Sequence, residues 1–270
     1  MISRIPLLVS FMLVLGCAAT SVSDESDING RGEVVIATDA TFPPFHYVDE
    51  SGNVTGFDIE LSLELARRSG LSPKVIVLPY DRLFEDLLAG RHHVVAASTG
   101  ITPQREETYL FTSPYFNTCQ AALVRNGDAE PRTLADLAGL RVGASGAGTS
   151  VAALSQIPGA IQIFLSEREG NEDAVQKGGR VPTLERGEVD ALVVDEFVAV
   201  EAAIESEGRL RVLPDAVALE QYGFVFSPSE SSLKRKFDDA LDDMRKDGSL
   251  AALQSEFGLG RGDDWPINLP

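Results

Sequence analysis

From Glu33 onward, short apolar runs rich in β-branched residues alternate with segments whose apolar positions recur every four residues, and no other property of the chain restricts its fold as tightly. The strand-like runs are Val34 to Ala37, Val75 to Leu78, Val94 to Ala97, Arg141 to Ala144, Ile161 to Phe164, Ala191 to Val194 and Tyr222 to Phe226. Between them, Phe57, Leu61 and Leu65 share one helix face, as do Leu83 and Leu87 and, later, Phe237 and Leu241. Thr133 to Asp136 has the spacing of a capping box at a helix start. Strand and helix in repeated alternation predict an α/β fold with a largely parallel sheet covered on both faces. Four of the runs stop abruptly at small or polar residues: Thr38 and Asp39, Ser98 to Gly100, Ser145 to Gly148, and Asp195. In open α/β sheets ligands bind beyond the carboxyl ends of the strands, so these four points are the expected lining of a site.

The first residues follow a different rule. Arg4 precedes a mostly apolar run from Ile5 to Leu15, which ends in Val14, Leu15, Gly16, Cys17. A spanning helix needs about 20 apolar residues, so this run is short for a permanent span and suits a signal peptide. The small glycine before Cys17 has the form of a lipobox, which predicts export, cleavage before Cys17 and attachment of a lipid to its thiol. Residues 18–32 are small and polar with no apolar period and read as a flexible tether. With Cys17 set aside, only Cys119 remains, so no intramolecular disulfide can form and the domain is held by its core. A formal charge of −18 disfavours nucleic acid as a partner.

The stretch beginning at Thr38, TDATFPPFHYVDESGNVTGFDIEL, is followed by GITPQRE and FTSPYF, and later by RTLADLAGLRVGASGAGTS, RGEVDALVVDE and LEQYGFVFSPSESSLKRKFDDALDDMRKDGSLAALQSEFG. In that order these segments resemble the bacterial extracellular solute-binding proteins of the polar amino acid type, the receptor components of ABC importers. The resemblance covers essentially all of residues 33–258. It implies a two-lobed fold of the type II periplasmic-binding-protein kind, each lobe a mostly parallel sheet with flanking helices, joined by two crossing strands. Lobe one is then expected at 33–119 plus 221–265 and lobe two at 120–220, with crossings near Gln120 to Arg125 and Ala216 to Tyr222. The implied function is capture of a polar amino acid or related small solute, delivered as a monomeric, lipid-anchored receptor to a membrane permease at the extracytoplasmic face. No cofactor is implied.

An α-amino acid presents a carboxylate and an ammonium on one carbon, so its receptor needs a fixed cation and a fixed anion a few ångströms apart. By the resemblance, Arg105 of the ITPQR motif is the cation, whose planar fork holds a carboxylate through two parallel hydrogen bonds. Asp195, after the apolar run Ala191 to Val194, is the matching anion on the other lobe. Ser98 and Gly100 match the loop that meets the ligand head group, and Gly100 departs from the pattern, in which Ser or Thr is usual. Thr149 matches a position whose backbone amide meets the same carboxylate at a helix start. Phe42 and Tyr80 match the aromatic pair flanking the ligand side chain, and Asp39 the group that meets its far end, where a carboxylate favours neutral or cationic side chains.

Other chemistry is less well supported by the residues. His46, His92 and His93 are the only histidines, and adjacent His92 and His93 on a strand would face opposite ways, against a shared metal. Cys119 has no histidine after it to act as its base and reads as a small buried residue. Asp238, Asp239, Asp242 and Asp243 read as a solvated helix face. A branch with this fold resembles cyclohexadienyl dehydratases, and Glu167, Glu169 and Glu172 are the acids such an enzyme could use as a proton donor. The intact pair Asp195 and Glu196 favours transport over that alternative. A ligand-sensing module serving a separate signalling chain is a third reading.

Overall fold

The computed structural model describes residues 32–127, 129–145, 148–165 and 180–260. Cys17, the tether as far as residue 31, and Glu167, Glu169 and Glu172 lie outside the described residues, as does the stretch 261–265 of the expected first lobe.

The described chain forms two main sheets and a small one. The first main sheet comprises β1 (Glu33–Thr38), β5 (Ser72–Val77), β6 (Val94–Val95), β7 (Leu110–Phe111) and β14 (Val225–Phe226), in the order β5-β1-β6-β14-β7. The second comprises β8 (Phe116–Arg125), β9 (Arg141–Ser145), β10 (Ile161–Leu165), β11 (Ala191–Asp195) and β12 (Leu210–Val212), in the order β10-β9-β11-β8-β12, with β13 (Ala218–Tyr222) also paired to β8. Neighbours β1, β5 and β6 are parallel, as are β9, β10 and β11. One strand in each sheet runs against the rest: β14 is antiparallel to β6 and β7, and β8 to β11, β12 and β13. Both reversed strands follow a change of sheet along the chain. β8 leaves the first sheet after β7, and β14 enters it after β13. Between the sheets the two connections pair with each other, from Ala218 opposite Gln120 to Tyr222 opposite Phe116. The expected single run from Tyr222 to Phe226 is thereby broken into β13 and β14, at Gly223 and Phe224.

The central strands of each sheet are buried on both faces, which is why they read as unbroken apolar runs, whereas the edge strands β5 and β10 leave Val77, Ile161 and Phe164 exposed. Successive residues feed opposite cores: Ile36, Val94, Phe224 and Phe226 point to one side of the first sheet, and Ala37, Val95 and Val225 to the other. In the second sheet Ala122, Val124 and Val193 face one core and Ala121, Leu123 and Leu192 the other. The helix α1 (Phe57–Arg68) lays Phe57, Leu61 and Leu65 on the first core, and α7 (Ser231–Lys246) adds Phe237 and Leu241 to it. Helix α2 (Tyr80–Leu88) covers the opposite face with Leu83 and Leu87. Full burial of one such side chain contributes roughly 1.5–3 kcal/mol. The capping-box residues start a single turn of 3-10 helix at Leu134–Leu137, where the Thr133 amide donates to the Asp136 carboxylate at 2.9 Å. On α7 the acidic face is more than solvated, because Asp238 accepts from the Ser113 amide at 2.7 Å and pairs with Lys234. His92 and His93 precede β6 rather than lying in it, and His93 Nδ1 accepts from the Val35 amide at 3.0 Å.

The small sheet, β2 (Thr41–Phe42), β3 (His46–Val48) and β4 (Val54–Thr55), sits over the start of α1. The first amides of α1 have no intrahelical partner. Here the Phe57 amide donates to the Pro44 carbonyl at 3.0 Å and the Asp58 amide to the Phe45 carbonyl at 2.8 Å. So close an approach of two backbones requires glycine between them: Gly56 has φ 124°, and a Cβ on it would lie 2.3 Å from the Phe45 carbonyl oxygen.

Candidate functional site

Four strand ends converge on the paired connections β8 and β13. From β1 comes Asp39, with Ala40 after it at φ 53°. Its carboxylate accepts from the Thr41 hydroxyl and stands 3.2 Å from His46 Nδ1. Burial alone would raise the Asp39 pKa, but the His46 contact and the Thr41 hydroxyl outweigh it and hold the group below its usual range. After β6 comes Ser98, at φ 42°. Its strained turn is tied down by Asp58 in the first turn of α1, which accepts from the Ser98 amide at 2.6 Å and from its hydroxyl at 3.0 Å. Asp58 is fully buried, and that burial raises its pKa against the opposing influence of His46 and the Ser98 amide.

Arg105 belongs to the short helix α3 (Pro103–Glu106), and the motif explains the local fold. Thr102 caps the helix by accepting from the Arg105 amide, and Pro103 occupies its first position, where no amide is needed. The half-buried guanidinium donates through Nη1 to the Gly100 carbonyl at 2.8 Å. Tyr80, at the start of α2 and 43 % exposed, lies close enough to Arg105 to feel its charge. Partial burial of the phenol raises its pKa, Asp39 and Glu220 raise it further, and Arg105 opposes them. Asp39, Tyr80, Arg105 and Glu220 therefore share one electrostatic neighbourhood. Phe42 stacks on Phe45 with ring centroids 5.3 Å apart and meets His46 edge-on.

The second sheet supplies the facing groups. Asp195 ends β11 and caps α6 (Glu196–Glu205), accepting from the Phe197 amide at 3.0 Å, while the Tyr222 hydroxyl donates to its other oxygen. Burial lifts the Asp195 pKa to about 7; the Tyr222 hydrogen bond opposes that rise, and repulsion from Glu220 and Glu196 adds to it. Thr149 opens α4 (Thr149–Leu154) behind Gly148, which has φ 88°. It is joined to β8 by Gln120, whose Nε2 donates to Thr149 Oγ1 at 3.2 Å and to Glu220 Oε2 at 2.7 Å, while its Oε1 accepts from Ser150 at 2.8 Å.

Of the eight sequence-derived residues, Gly100, Thr149 and Asp195 meet the connecting strands directly, through Tyr222 and Gln120, and Arg105 is tied to Gly100. Asp39, Phe42 and Ser98 are held instead by Thr41, His46, Phe45 and Asp58 of the first half, and Tyr80 opens α2; Glu220 and Ser150 join the site through Gln120. Glu220 and Tyr222 lie in the segment LEQYGF and Gln120 at an expected crossing, yet none of the three reads as a site residue, because they sit on connecting strands whose facing direction is fixed only by pairing. Alternation from Tyr222 would have put Glu220 on the same face. Cys119 is buried, with its thiol 3.8 Å from the Glu196 carboxylate. A surface cavity of about 270 Å³ lies elsewhere, between α5 (Val181–Glu185) and α6, lined by Val181, Glu185, Val198, Glu201, Glu205 and Arg209, and contains none of the site residues. Among the described residues no helix is long and apolar enough to cross a membrane.

Two mostly parallel sheets joined by a pair of antiparallel connections, with polar groups from both converging there, define the fold of two-lobed periplasmic binding proteins. The chain belongs to the bacterial extracellular solute-binding proteins, family 3, whose pattern matches residues 34–260. It is similar to the L-cystine-binding protein TcyJ of Escherichia coli (strain K12), 28 % identical over 250 residues that cover 91 % of each chain. Among solved structures it resembles an ancestral arginine-binding protein bound to arginine, with TM-score 0.70, 28 % identity, and coverage of 84 % of this chain and 98 % of the other. It also resembles the ancestral amino acid-binding protein AncCDT-1, a precursor of cyclohexadienyl dehydratase, with TM-score 0.70, 26 % identity, and coverage of 86 % and 97 %.

Proposed function

We propose that the protein is a lipid-anchored, extracytoplasmic receptor that captures an amino acid between two lobes and hands it to the permease of an ABC importer. The observation that carries this reading is the placement of a cation and an anion on different sheets: Arg105 hangs from the first and Asp195 ends a strand of the second. A ligand carboxylate on Arg105 and its ammonium on Asp195 tie the two halves together, so closure depends on ligand. Lobe one is 33–119 plus 221–265 and lobe two 120–220, with the paired β8 and β13 as the hinge. Phe42 and Tyr80 flank the ligand side chain, Asp39 stands at its far end, and the loop at Ser98 and Gly100 and the α4 start at Thr149 meet the head group. Membership of the family and the ligands named for its relatives support an amino acid as the solute.

The test is a thermal-shift screen of the protein without its signal segment against the amino acids. A ligand present at about 100 times its dissociation constant stabilises the folded state by roughly 2.7 kcal/mol. No shift with any amino acid would sink the receptor reading. Anchoring is tested separately: Cys17→Ser should release soluble protein or leave uncleaved precursor, and identical fractionation of mutant and parent removes the lipid. The likeness to AncCDT-1 favours one second reading, a cyclohexadienyl dehydratase-like enzyme. Turnover of prephenate or arogenate, lost on changing Glu167, Glu169 or Glu172, would establish it.

A further inference from the structure

Gly100 poses a question that its own backbone does not answer. It is absent from the positions with positive φ, so its conformation is open to any residue. The demand for glycine comes from a side chain: a Cβ at position 100 would lie 1.8 Å from Glu220 Oε1 and 2.8 Å from its carboxylate carbon. The Glu220 carboxylate therefore fills the space of the missing side chain, in the same loop whose carbonyl holds Arg105.

Glu220 is held there rather than swept there by chance. Oε2 accepts from Gln120 at 2.7 Å, and Gln120, itself 3 % exposed, is fixed by Thr149 and Ser150. Oε1 takes no hydrogen bond among the described residues, and no cation lies within ion-pair distance of Glu220 there. Its charge is felt on both sides, by Tyr80 together with Asp39, and by Asp195. Three carboxylates, Asp39, Asp195 and Glu220, thus belong to the candidate site together with Arg105, and of the three only Asp39 has a basic partner, His46, within ion-pair distance among the described residues. An α-amino acid with a neutral side chain adds one charge of each sign and leaves the excess of anions unanswered. A cationic side chain answers part of it, and an acidic one enlarges it.

We propose that Glu220, given room by Gly100, is a specificity-determining residue of this site that selects amino acids with a positively charged side chain. The inference rests on the amino acid receptor reading and deepens it. Glu220, lodged between Gly100 and Gln120, adds its charge to that of Asp39 at Tyr80, the aromatic that the receptor reading sets against the ligand side chain, and Asp195 takes the ammonium of the head group. Because the atoms that a Cβ at position 100 would strike belong to the end of a flexible side chain, Gly100→Ala displaces Glu220 and leaves the fold in place.

The test uses L-arginine and L-citrulline, which differ in charge and hardly in shape, on the full mature chain by calorimetry. The parent should prefer arginine by about tenfold or more. Glu220→Gln should narrow that preference at least about fivefold, and Gly100→Ala should do the same by displacement. Adding Gly100→Ala to Glu220→Ala should leave the arginine-to-citrulline ratio of the Glu220→Ala protein within about twofold, whatever it does to affinity for either ligand, since no carboxylate remains to displace. A parent that binds neutral or acidic amino acids in preference to arginine and lysine overturns the inference while leaving the receptor reading intact. An unchanged arginine-to-citrulline ratio in folded Glu220→Gln overturns it too. Failure to bind any amino acid overturns both.

Discussion

At the scale of single residues, charge and burial set the expectations. Arg105→Ala leaves a ligand carboxylate buried without its partner and should cost on the order of 2 to 5 kcal/mol of binding, a loss of tens to thousands of fold by calorimetry. Asp195 carries a sharper signature. Its carboxyl is lifted to about 7 by burial, with Glu220 and Glu196 adding repulsion, so below that pH it holds a proton that an incoming ammonium must expel. Affinity should therefore rise with pH from about 5 to about 7 and level off above, with a slope of at most about tenfold per unit. The same shift acts on folding. A carboxyl that binds its proton more tightly folded than unfolded adds stability below the unfolded value, 3.8, and loses it as pH rises through about 7. Asp195→Asn keeps the shape and removes the titration, so it should flatten the affinity profile and gain melting temperature relative to the parent at pH 8 but not at pH 4. Parallel pH profiles for the two proteins would refute the assignment of that carboxyl.

At the scale of elements, α1 is the part on which the first half of the site is aligned. Its opening amides, those of Phe57 and Asp58, donate to the Pro44 and Phe45 carbonyls, and in the same first turn the Asp58 carboxylate grips the Ser98 loop. Gly56 permits this docking. Gly56→Ala places a methyl group against a backbone oxygen at a positive φ, and should destabilise the protein by about 2–4 kcal/mol in urea unfolding. The damage should extend to binding, because a displaced α1 carries Asp58 away from the loop that presents Gly100 to Arg105. Normal stability in that variant would show that the small sheet and α1 can part without loss.

At the scale of the whole molecule, the halves meet through aromatic rings as well as through the connecting strands. Phe197 of α6 packs on Phe45 at 4.8 Å and Phe116 at 5.9 Å between ring centroids, so a residue of the second half completes the core of the first. Motion about β8 and β13 must slide these rings. If ligand ties Arg105 to Asp195, small-angle scattering should show a smaller radius of gyration with ligand than without. Phe197→Ala should loosen the closed form and weaken binding of the same ligand by about tenfold. An unchanged scattering profile on saturation would show that capture occurs without closure.

The sequence by itself determined the α/β class, the strands and helices that carry the two cores, and the points where strands give way to polar groups. These are local properties: apolar runs, four-residue spacing on helix faces, the capping-box spacing from Thr133 to Asp136, and the small residues Ser145 to Gly148 ahead of Thr149. The motifs also picked out Arg105 and Asp195, because each stands in a run of residues that announces its place. Tertiary structure alone decided which strand reverses in each sheet, since a strand arriving from the other sheet takes its direction from where it enters. It also decided that Asp195 is both a helix cap and a partner of Tyr222, and that Gly100 is the counterpart of Glu220. Positions 100 and 220 are far apart along the chain, and no periodicity links them. They meet because β13 folds back along β8, and only that pairing brings a carboxylate into the space where a side chain at position 100 would otherwise stand.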